Sequence, residues 1–273
     1  MSKDIKSSLG DVQKTLLLPL WGRAVESTKP KPKLVDETAV QILKQIDFNF
    51  SQFEGKIDDI TQIGWIRRSQ ICDQVVKAFL TRYPAGTIVD IGCGLETIFE
   101  RTDNGQLKWY DIDLPDVIAF RSQFVKENAR RKFIVTSFLD EGWMDLIIVD
   151  ENVLFMAAGV FYYFEEEVIK EFILLLTDRF PNSEIIFDVT SPLGVKMANK
   201  KVVESAGFDE KSHLVWGLEN ENDILSWDPR IEIIDTYKYF RISGIGIRNR
   251  LMGMLSDLLG FQYMLHLKLG GLE

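Results

Sequence analysis

The stretch Ile88-Val-Asp-Ile-Gly-Cys-Gly-Leu-Glu-Thr97 decides the fold of this chain. Its apolar start, which ends in Asp90, predicts a buried strand. Gly92 and Gly94 then allow the backbone a tight turn at a point where a side chain would collide with a ligand. A dinucleotide fingerprint, G-x-G-x-x-G, would have its third glycine where this chain has Thr97. The alternative to a ligand turn is an ordinary connection between a strand and a helix.

The next apolar run, residues 107–110, leads into Asp111 and Asp113. A carboxylate therefore follows the glycines by about 20 residues, the spacing at which dinucleotide-type folds hold the hydroxyls of a ribose. Together the two segments predict the first half of a Rossmann-like nucleotide site.

Composition limits the classes of protein to consider. A chain of 273 residues with 46% hydrophobic content can bury a full core, and we expect one domain over residues 1–271 rather than two small ones. The net charge of −9 and the lack of a dense Lys/Arg block argue against a nucleic-acid partner. Cys72 and Cys93 have neither metal nor disulfide spacing, so we expect no metal site and a reducing compartment.

The N-terminal residues do not have the pattern of a signal peptide. The apolar patch at 16–18 is short and is followed by Pro19, so we expect no signal peptide. No run reaches the roughly 18 uninterrupted apolar residues that a membrane span requires. We therefore expect a cytoplasmic protein without a membrane partner. Residues 272–273, which follow two glycines, are interpreted as a cloning scar.

Helical patterns dominate the first 83 residues. We predict a helix over 15–26, a second helix capped by Asp36, and a third over about 60–83 that ends before a proline. Since this region precedes the first strand, we interpret residues 1–83 as a helical lid over a core formed by 84–271.

The core alternates strands with helices. Seven strands are predicted: one ending at Asp90, then 107–110, 133–136, 152–158, 184–188, 231–240 and 261–269. Residues 145–150 are an alternative fourth strand. Helices are predicted after Pro115, at 165–180, and near 195–205 and 248–259. This alternation predicts an α/β fold with a doubly wound sheet, whose last strands we expect to be antiparallel.

Five ordered motifs carry a family resemblance. They are Leu18-Pro-Leu-Trp-Gly-Arg23-Ala24, Ile66-Arg-Arg-Ser-Gln-Ile-Cys-Asp73, Gly92-Cys-Gly-Leu-Glu-Thr97, Trp109-Tyr-Asp-Ile-Asp-Leu-Pro115 and Leu154-Phe-Met-Ala-Ala-Gly-Val-Phe-Tyr-Tyr-Phe164. In this order they resemble the leucine carboxyl methyltransferase superfamily, in particular its bacterial branch of polyketide O-methyltransferases. The resemblance covers about residues 14–240.

The resemblance implies a class I S-adenosylmethionine-dependent methyltransferase fold with N-terminal helices over the cofactor. Arg68 matches the arginine that holds the methionine carboxylate, a task suited to a bidentate guanidinium. Gly92 falls in the cofactor turn. Asp113 matches the carboxylate that binds the ribose, with Asp111 as the neighbouring alternative.

Further cofactor contacts are implied with less motif support. Arg23 lies near a basic position of the family, or is a surface arginine. Ser137 and Phe138 match positions that flank the adenine, where an apolar ring can stack on a base. Tyr163 matches an aromatic residue that we assign to the substrate pocket, whereas its neighbour Tyr162 is interpreted as a packing residue.

The chain departs from the family pattern at two positions. Ala158, a cofactor-binding position, replaces a glutamate before Gly159, and Ile98 replaces an arginine. We expect each change to remove a charge from the pocket. One alternative function is therefore a catalytically impaired protein that still binds S-adenosylmethionine. Another is a Rossmann-type oxidoreductase, which the absence of the third glycine disfavours.

The resemblance implies O-methylation of a carboxylate or a phenolic hydroxyl on a polyketide-like small molecule. A carboxylate is ionised near pH 7 and needs no base, whereas a phenol, with a pKa of about 10, benefits from one. We interpret the two histidines, His213 and His266, as structural or surface residues, and we assign no catalytic residue.

Overall fold

A computed structural model of the chain describes residues 3–4, 13–200, 213–241 and 246–271. The interpreted scar at 272–273, and residues 201–205 of one predicted helix, lie outside the described residues. The N-terminal part is helical, with α1 at Leu17–Ser27, α2 at Glu37–Gln45 and α3 at Asp59–Arg82. A two-residue parallel pair, β1 (Lys3–Asp4) with β2 (Ile46–Asp47), accompanies them.

The helix starts follow local capping chemistry. The side chain of Asp36 accepts a hydrogen bond from the backbone N–H of Ala39 at the start of α2. Asp58 does the same for the N–H of Thr61 at the start of α3. Such caps satisfy donors that have no partner within the helix.

Within the described ranges, the main sheet has seven strands. They are β3 (Thr87–Ile91), β4 (Lys108–Asp113), β5 (Arg131–Val135), β6 (Val153–Ala157), β7 (Glu184–Val189), β8 (Glu232–Lys238) and β9 (Tyr263–Lys268). The helices that accompany them are α4 (Ile98–Thr102), α5 (Pro115–Arg121), α6 (Glu166–Arg179), α7 (Pro192–Ala198) and α8 (Ile247–Leu258). The doubly wound α/β sheet is therefore confirmed.

The strand order is β5-β4-β3-β6-β7-β9-β8. β5, β4, β3, β6 and β7 pair in parallel, and β9 is antiparallel to both of its neighbours. The expectation that the last strands are antiparallel holds for β9 only, because β9 lies between β7 and β8 and leaves β8 in the direction of the parallel strands. A bulge between Ile233 and Asp235 interrupts the β8–β9 register.

The fourth strand of the main sheet is the segment predicted at 152–158. β6 is buried along its whole length because it pairs with β3 on one side and β7 on the other. The alternative segment at 145–150 is not a strand; Leu146 and Ile148 are exposed in it. Apolar composition alone could not distinguish these two runs.

Three large apolar clusters form most of the core of the described residues. On one face of the sheet, α6 packs through Ile169, Phe172 and Leu176. On the other face, α3 packs through residues 71–80. α1 and α2 form a third cluster that also includes Phe120 of α5. The N-terminal helices thus share packing with the sheet layer, and α3 brings Arg68 to the sheet edge where β3 and β6 end.

Candidate active site

A cleft of about 620 Å³ opens at the carboxyl ends of β3, β4 and β6. Its other wall includes residues of α1 and α3, among them Leu18 and Arg68. The chain order reverses between β3 and β6, since β3 lies between β4 and β6. Open α/β sheets bind ligands at such a reversal. The cleft volume is in the range of small-molecule sites.

The glycine turn brings backbone to this cleft. After β3, Gly92 has a φ of +63°, which side-chain-bearing residues rarely adopt. A Cβ atom at Gly92 would lie 2.5 Å from Cγ2 of Val160, so a side chain would not fit there. The Gly92 N–H donates to the carbonyl oxygen of Ile112 at 2.8 Å, which ties the turn to β4.

Asp113 stands where β4 ends and lines the cleft. Its Oδ2 accepts from the N–H of Gly94, and its Oδ1 from the N–H of Leu114, both at 2.8 Å. Burial raises the pKa of Asp113 to about 6. The carboxylate is thus held in one orientation, with lone pairs left for hydroxyl donors. Gly92, Gly94 and Asp113, where the sequence predicts a ribose contact, are called the ribose wall below.

Asp111, the alternative ribose contact, does not reach the cleft. It is fully buried, and its carboxylate pairs with Arg121 at 3.1 Å and Arg131 at 2.6 Å. Arg121 also donates to the carbonyl oxygen of Gly94. The structure therefore does not bring Asp111 to the cleft, because this residue lies two positions before the strand end, under α5. It braces the glycine turn through Arg121.

Arg68 lies on α3 and is 4% exposed. Its Nη1 is 3.2 Å from Oδ2 of Asp188 and 3.4 Å from Oη of Tyr162, and its Nη2 is 4.0 Å from Oε1 of Glu96. A Cβ atom at Gly159 would lie 2.6 Å from Nη1 of Arg68, so the glycine leaves room for the guanidinium. Arg68, Glu96 and Asp188 are called the guanidinium cluster below.

Asp188 is held at the end of β7 with both oxygens in use. Its Oδ1 accepts from the N–H of Gly159 at 2.6 Å, and its Oδ2 faces Arg68. Burial raises the pKa of Asp188, and the charge of Arg68 opposes that rise. Asp188 therefore orients Arg68, as a carboxylate orients a buried guanidinium.

Arg23 lines the cleft, but its donors face the protein. Its Nε pairs with Asp36 at 3.0 Å, its Nη1 with Glu96 at 2.6 Å, and its Nη2 donates to the carbonyl oxygen of Leu95 at 2.8 Å. The reading of Arg23 as a surface residue is wrong, because its side chain is 1% exposed. Its geometry is that of a clamp that fixes Glu96 and the glycine turn to α1.

The expectation that Ile98 removes a charge from the pocket is wrong. Ile98 is buried in the apolar cluster between α3 and the sheet and does not line the cleft. The arginine one turn later, Arg101, pairs with Asp73 and Asp36, each at 2.8 Å. Substitution at 98 therefore changes core packing rather than cleft charge.

The remaining predicted residues all line the cleft: Ser137, Phe138, Ala158 and Tyr163. Phe138 is largely buried, and its ring packs edge-on against the ring of Phe164 at 5.0 Å between centroids. Burial raises the pKa of Tyr163, so its hydroxyl is protonated at neutral pH. Their contacts with a ligand stay predictions.

Sequence reasoning missed three residues of this site. Tyr162 was interpreted as packing, yet it lines the cleft and contacts Arg68. Asp188 had one usable signal, its position at the end of a predicted strand, where α/β folds place functional carboxylates. Glu96 lay in the quoted glycine turn, but nothing in the sequence showed which way its side chain points.

The histidine of β9 lies away from the cleft. Nε2 of His266 is 2.9 Å from Oε2 of Glu184 on β7, and neither residue lines the cleft. Among the residues that the structure describes, no group of three or more His, Cys, Asp or Glu is arranged to hold a metal ion. None of the helices within those ranges combines the length and apolar character needed to cross a membrane.

Comparison with known proteins gives a consistent result. The family model for leucine carboxyl methyltransferase matches residues 17–176. The chain is 28% identical over 223 residues to the tetracenomycin polyketide synthesis O-methyltransferase TcmP of Streptomyces glaucescens, covering 81% of this chain and 80% of that protein. It is 25% identical over 267 residues to the S-adenosyl-L-methionine-dependent methyltransferase dpfgK of Gibberella zeae, covering 88% of each.

A solved structure has the same fold at low sequence identity. It is a DUF574 family protein from Streptomyces avermitilis, with a TM-score of 0.59 and 10% identity over 92% of this chain and 96% of that chain.

Proposed function

The chain belongs to the leucine carboxyl methyltransferase family, and from that premise we propose that it O-methylates a carboxylate or a phenolic hydroxyl of a small molecule. It is an S-adenosylmethionine-dependent methyltransferase by family and fold. This membership contradicts the oxidoreductase alternative. The cofactor supplies an electrophilic methyl group bound to a sulfonium.

The donor set of the cleft fits this cofactor. Asp113 has lone pairs for the ribose hydroxyls, and Phe138 offers an apolar ring near the end of β5 for the adenine. The buried Nε of Arg68 has no partner among the described residues, which leaves part of the guanidinium available to a carboxylate. These residues would bind the cofactor and orient its methionine, ribose and adenine groups, and the cofactor would supply the methyl group for transfer.

One observation carries the proposal: Arg68 and Asp113 line one cleft at the β3–β6 reversal, together with the glycine turn. Positioning contributes most to a direct displacement at a methyl carbon, because an intramolecular arrangement replaces a bimolecular encounter.

The acceptor side of the cleft is largely apolar. Trp65, Met197, Phe240 and Phe261 line it, which suits an aromatic or polyketide-like molecule. Among the described residues, the cleft lining contains no histidine or lysine, and burial raises the pKa of Tyr162 well above its usual range. We therefore favour a carboxylate acceptor, which arrives ionised and needs no base.

Location and partners follow from the same premise. The partner we propose is a small-molecule acceptor, and not a nucleic acid or a membrane. Cys72 and Cys93 are both free and buried, which fits a reducing compartment, and we infer a cytoplasmic location.

The test is a transfer assay with S-adenosylmethionine labelled in its methyl group. Aromatic acids, their methyl esters and the corresponding phenols are offered as acceptors. We expect label in the acids, and we expect mild alkali to release it as methanol, since esters hydrolyse and aryl ethers do not. Label in phenols that resists alkali would assign ether formation instead. Binding of S-adenosylhomocysteine without transfer to any acceptor would favour the impaired alternative, which the missing carboxylate at Ala158 supports.

A further inference from the structure

Glu96 carries an unsatisfied buried oxygen in the cleft. The residue is 7% exposed, and its Oε1 accepts from Nη1 of Arg23 at 2.6 Å. Among the described residues its Oε2 has no hydrogen-bond partner, although that atom is buried. Leaving a buried acceptor of a charged group without a donor is costly. A ligand donor that occupies the cleft would remove that cost.

Two other carboxylates of the site, those of Asp188 beside Arg68 and of Asp113 in the cleft wall, differ from Glu96 in this respect. Both oxygens of Asp188 are bonded, to Gly159 and Arg68. Both oxygens of Asp113 accept backbone N–H groups. Among the residues that the structure describes, the Oδ2 of Asp90 also has no hydrogen-bond partner, but Asp90 does not line the cleft. Burial raises the pKa of Asp90 well above the usual range, so a proton can occupy that oxygen.

The position of Glu96 beside Arg68 points to the class of donor. Oε1 of Glu96 is 4.0 Å from Nη2 of Arg68, so an anion site and a cation site are adjacent. A free amino acid carries its ammonium and its carboxylate on the same carbon, and it therefore needs such a neighbouring pair. A neutral alcohol or an aromatic acceptor does not.

We propose that Oε2 of Glu96 accepts a hydrogen bond from the ammonium group of the cofactor's methionine, while Arg68 binds its carboxylate. This inference rests on the proposed function and deepens it by assigning the ammonium contact. It also accounts for Ala158, since the carboxylate missing there is provided by the glycine turn. Arg23 holds Glu96 in place through Oε1 and leaves Oε2 to the ligand.

The test compares two ligands by isothermal titration. One is S-adenosylhomocysteine, and the other is its deaminated analogue, which lacks only the α-amino group. Wild-type protein is expected to prefer S-adenosylhomocysteine by at least about tenfold. Glu96→Gln, which keeps the Oε1 acceptor for Arg23, is expected to bind S-adenosylhomocysteine roughly 10- to 100-fold more weakly and the analogue about as well as wild type.

Glu100→Gln is the matched control. Glu100 lies on α4, outside the cleft, and pairs with Arg131 at 2.6 Å, the same distance as the pair of Glu96 with Arg23. Loss of that ion pair should leave the affinity for both ligands unchanged. Thermal melting without ligand reports whether each variant folds.

Two results would overturn the inference. Equal weakening of both ligands in Glu96→Gln would show that Glu96 acts by holding the turn. Wild-type protein that binds both ligands equally would exclude an ammonium contact, and this comparison needs no variant at all. Neither result would affect the proposed function, whereas failure of wild-type protein to bind S-adenosylhomocysteine would overturn both.

Discussion

Residues of the ribose wall and of the guanidinium cluster line the same cleft, but the two groups are assembled differently. In the ribose wall, Gly94 and Asp113 are bonded across only 19 residues of chain. In the guanidinium cluster, Arg68 and Asp188 form a hydrogen bond although they are 120 residues apart in the chain. Arg68 lies on α3, which precedes the main sheet, and Asp188 lies on β7, which is separated from β3 by β6. The first group is determined by a strand, a turn and the next strand. The second exists only once α3 has packed on the sheet.

This difference predicts different responses to mutation. In the ribose wall, Asp113 is held by backbone hydrogen bonds, so its substitution should affect binding more than folding. In the guanidinium cluster the side chains are charged and buried, and Arg68 contacts both carboxylates. A substitution there should therefore affect ligand binding and the stability of the fold. Five experiments test this comparison, in order of decreasing expected effect.

Arg68→Ala is expected to have the largest effect. Loss of the methionine contact should weaken binding of S-adenosylhomocysteine about 10- to 100-fold, or ~1.5–3 kcal/mol. Removal of the partner of a buried Asp188 should lower the free energy of unfolding by about 3–5 kcal/mol. Titration and urea unfolding measure the two effects.

The control is Arg67→Ala, because Arg67 contacts Gln70 and does not line the cleft. Arg68→Lys keeps a charge beside Asp188 and should recover stability more than binding. An Arg68→Ala protein with unchanged affinity would exclude Arg68 from the site.

Asp113→Asn should weaken binding next most, by roughly 30-fold or ~2 kcal/mol, because two ribose hydroxyls lose an ionised acceptor. Stability should change little. An effect on melting as large as that of Arg68→Ala would contradict the comparison between the two groups.

The pH dependence of wild-type binding follows from the same residue. The pKa of Asp113 is raised to about 6 in the folded protein, above the roughly 3.9 of an unfolded aspartate. The folded state therefore binds this proton more tightly than the unfolded state. The resulting contribution to stability is lost as the pH rises from about 4 through 6. Binding has the opposite trend, since the ionised form accepts from the ribose. We expect affinity to fall as pH drops through 6 and to be less pH-dependent in Asp113→Asn. Titrations between pH 5 and pH 8 that show no such difference would contradict this role.

Ala158→Glu should tighten binding of S-adenosylmethionine by about tenfold when it is introduced into Glu96→Gln, because it returns a carboxylate to the cleft. In the wild-type background the gain should be smaller, since Glu96 already serves the ammonium. Titration of the single and double variants, with melting curves, measures this. A lower melting temperature with weaker binding would indicate that Ala158 is a packing residue whose replacement buries an unpaired charge.

The smallest expected effect concerns the N-terminal helices as a lid. Hydrogen exchange with and without S-adenosylhomocysteine should show added protection over residues 60–70, which approach the cleft, and little change over 71–80, which are already packed on the sheet. No change over 60–70 would count against closure of this region over the cofactor.

The sequence predicted most of the ribose wall because that wall is local. The strand ending near Asp90, the glycine turn and the carboxylate at the end of the next strand lie within about 25 residues, and periodicity with glycine chemistry is enough to place them. Spacing could not separate Asp111 from Asp113, because both follow the same apolar run, and the preference for Asp113 came from the family resemblance. Only the position of α5 shows that Arg121 covers the first and leaves the second open.

The guanidinium cluster was predicted only through Arg68, and that came from motif resemblance rather than from spacing. The prediction that Ile98 lies in the pocket also came from motif resemblance, and it was wrong. The sequence does not show which face of the short helix α4 is directed toward the cleft. α4 buries Ile98 against α3 and directs Arg101 toward Asp73 and Asp36.

The sequence by itself determined the element order, the turn geometry of Gly92 and the family of the chain, because these depend on local backbone preferences and on motifs in linear order. The tertiary structure alone decided that β9 lies between β7 and β8, that Asp188 faces Arg68, and that one buried oxygen of Glu96 has no hydrogen-bond partner among the described residues. These are contacts between residues far apart in the chain. Their geometry depends on how helices pack on the sheet, and no local pattern encodes the direction in which a buried side chain points.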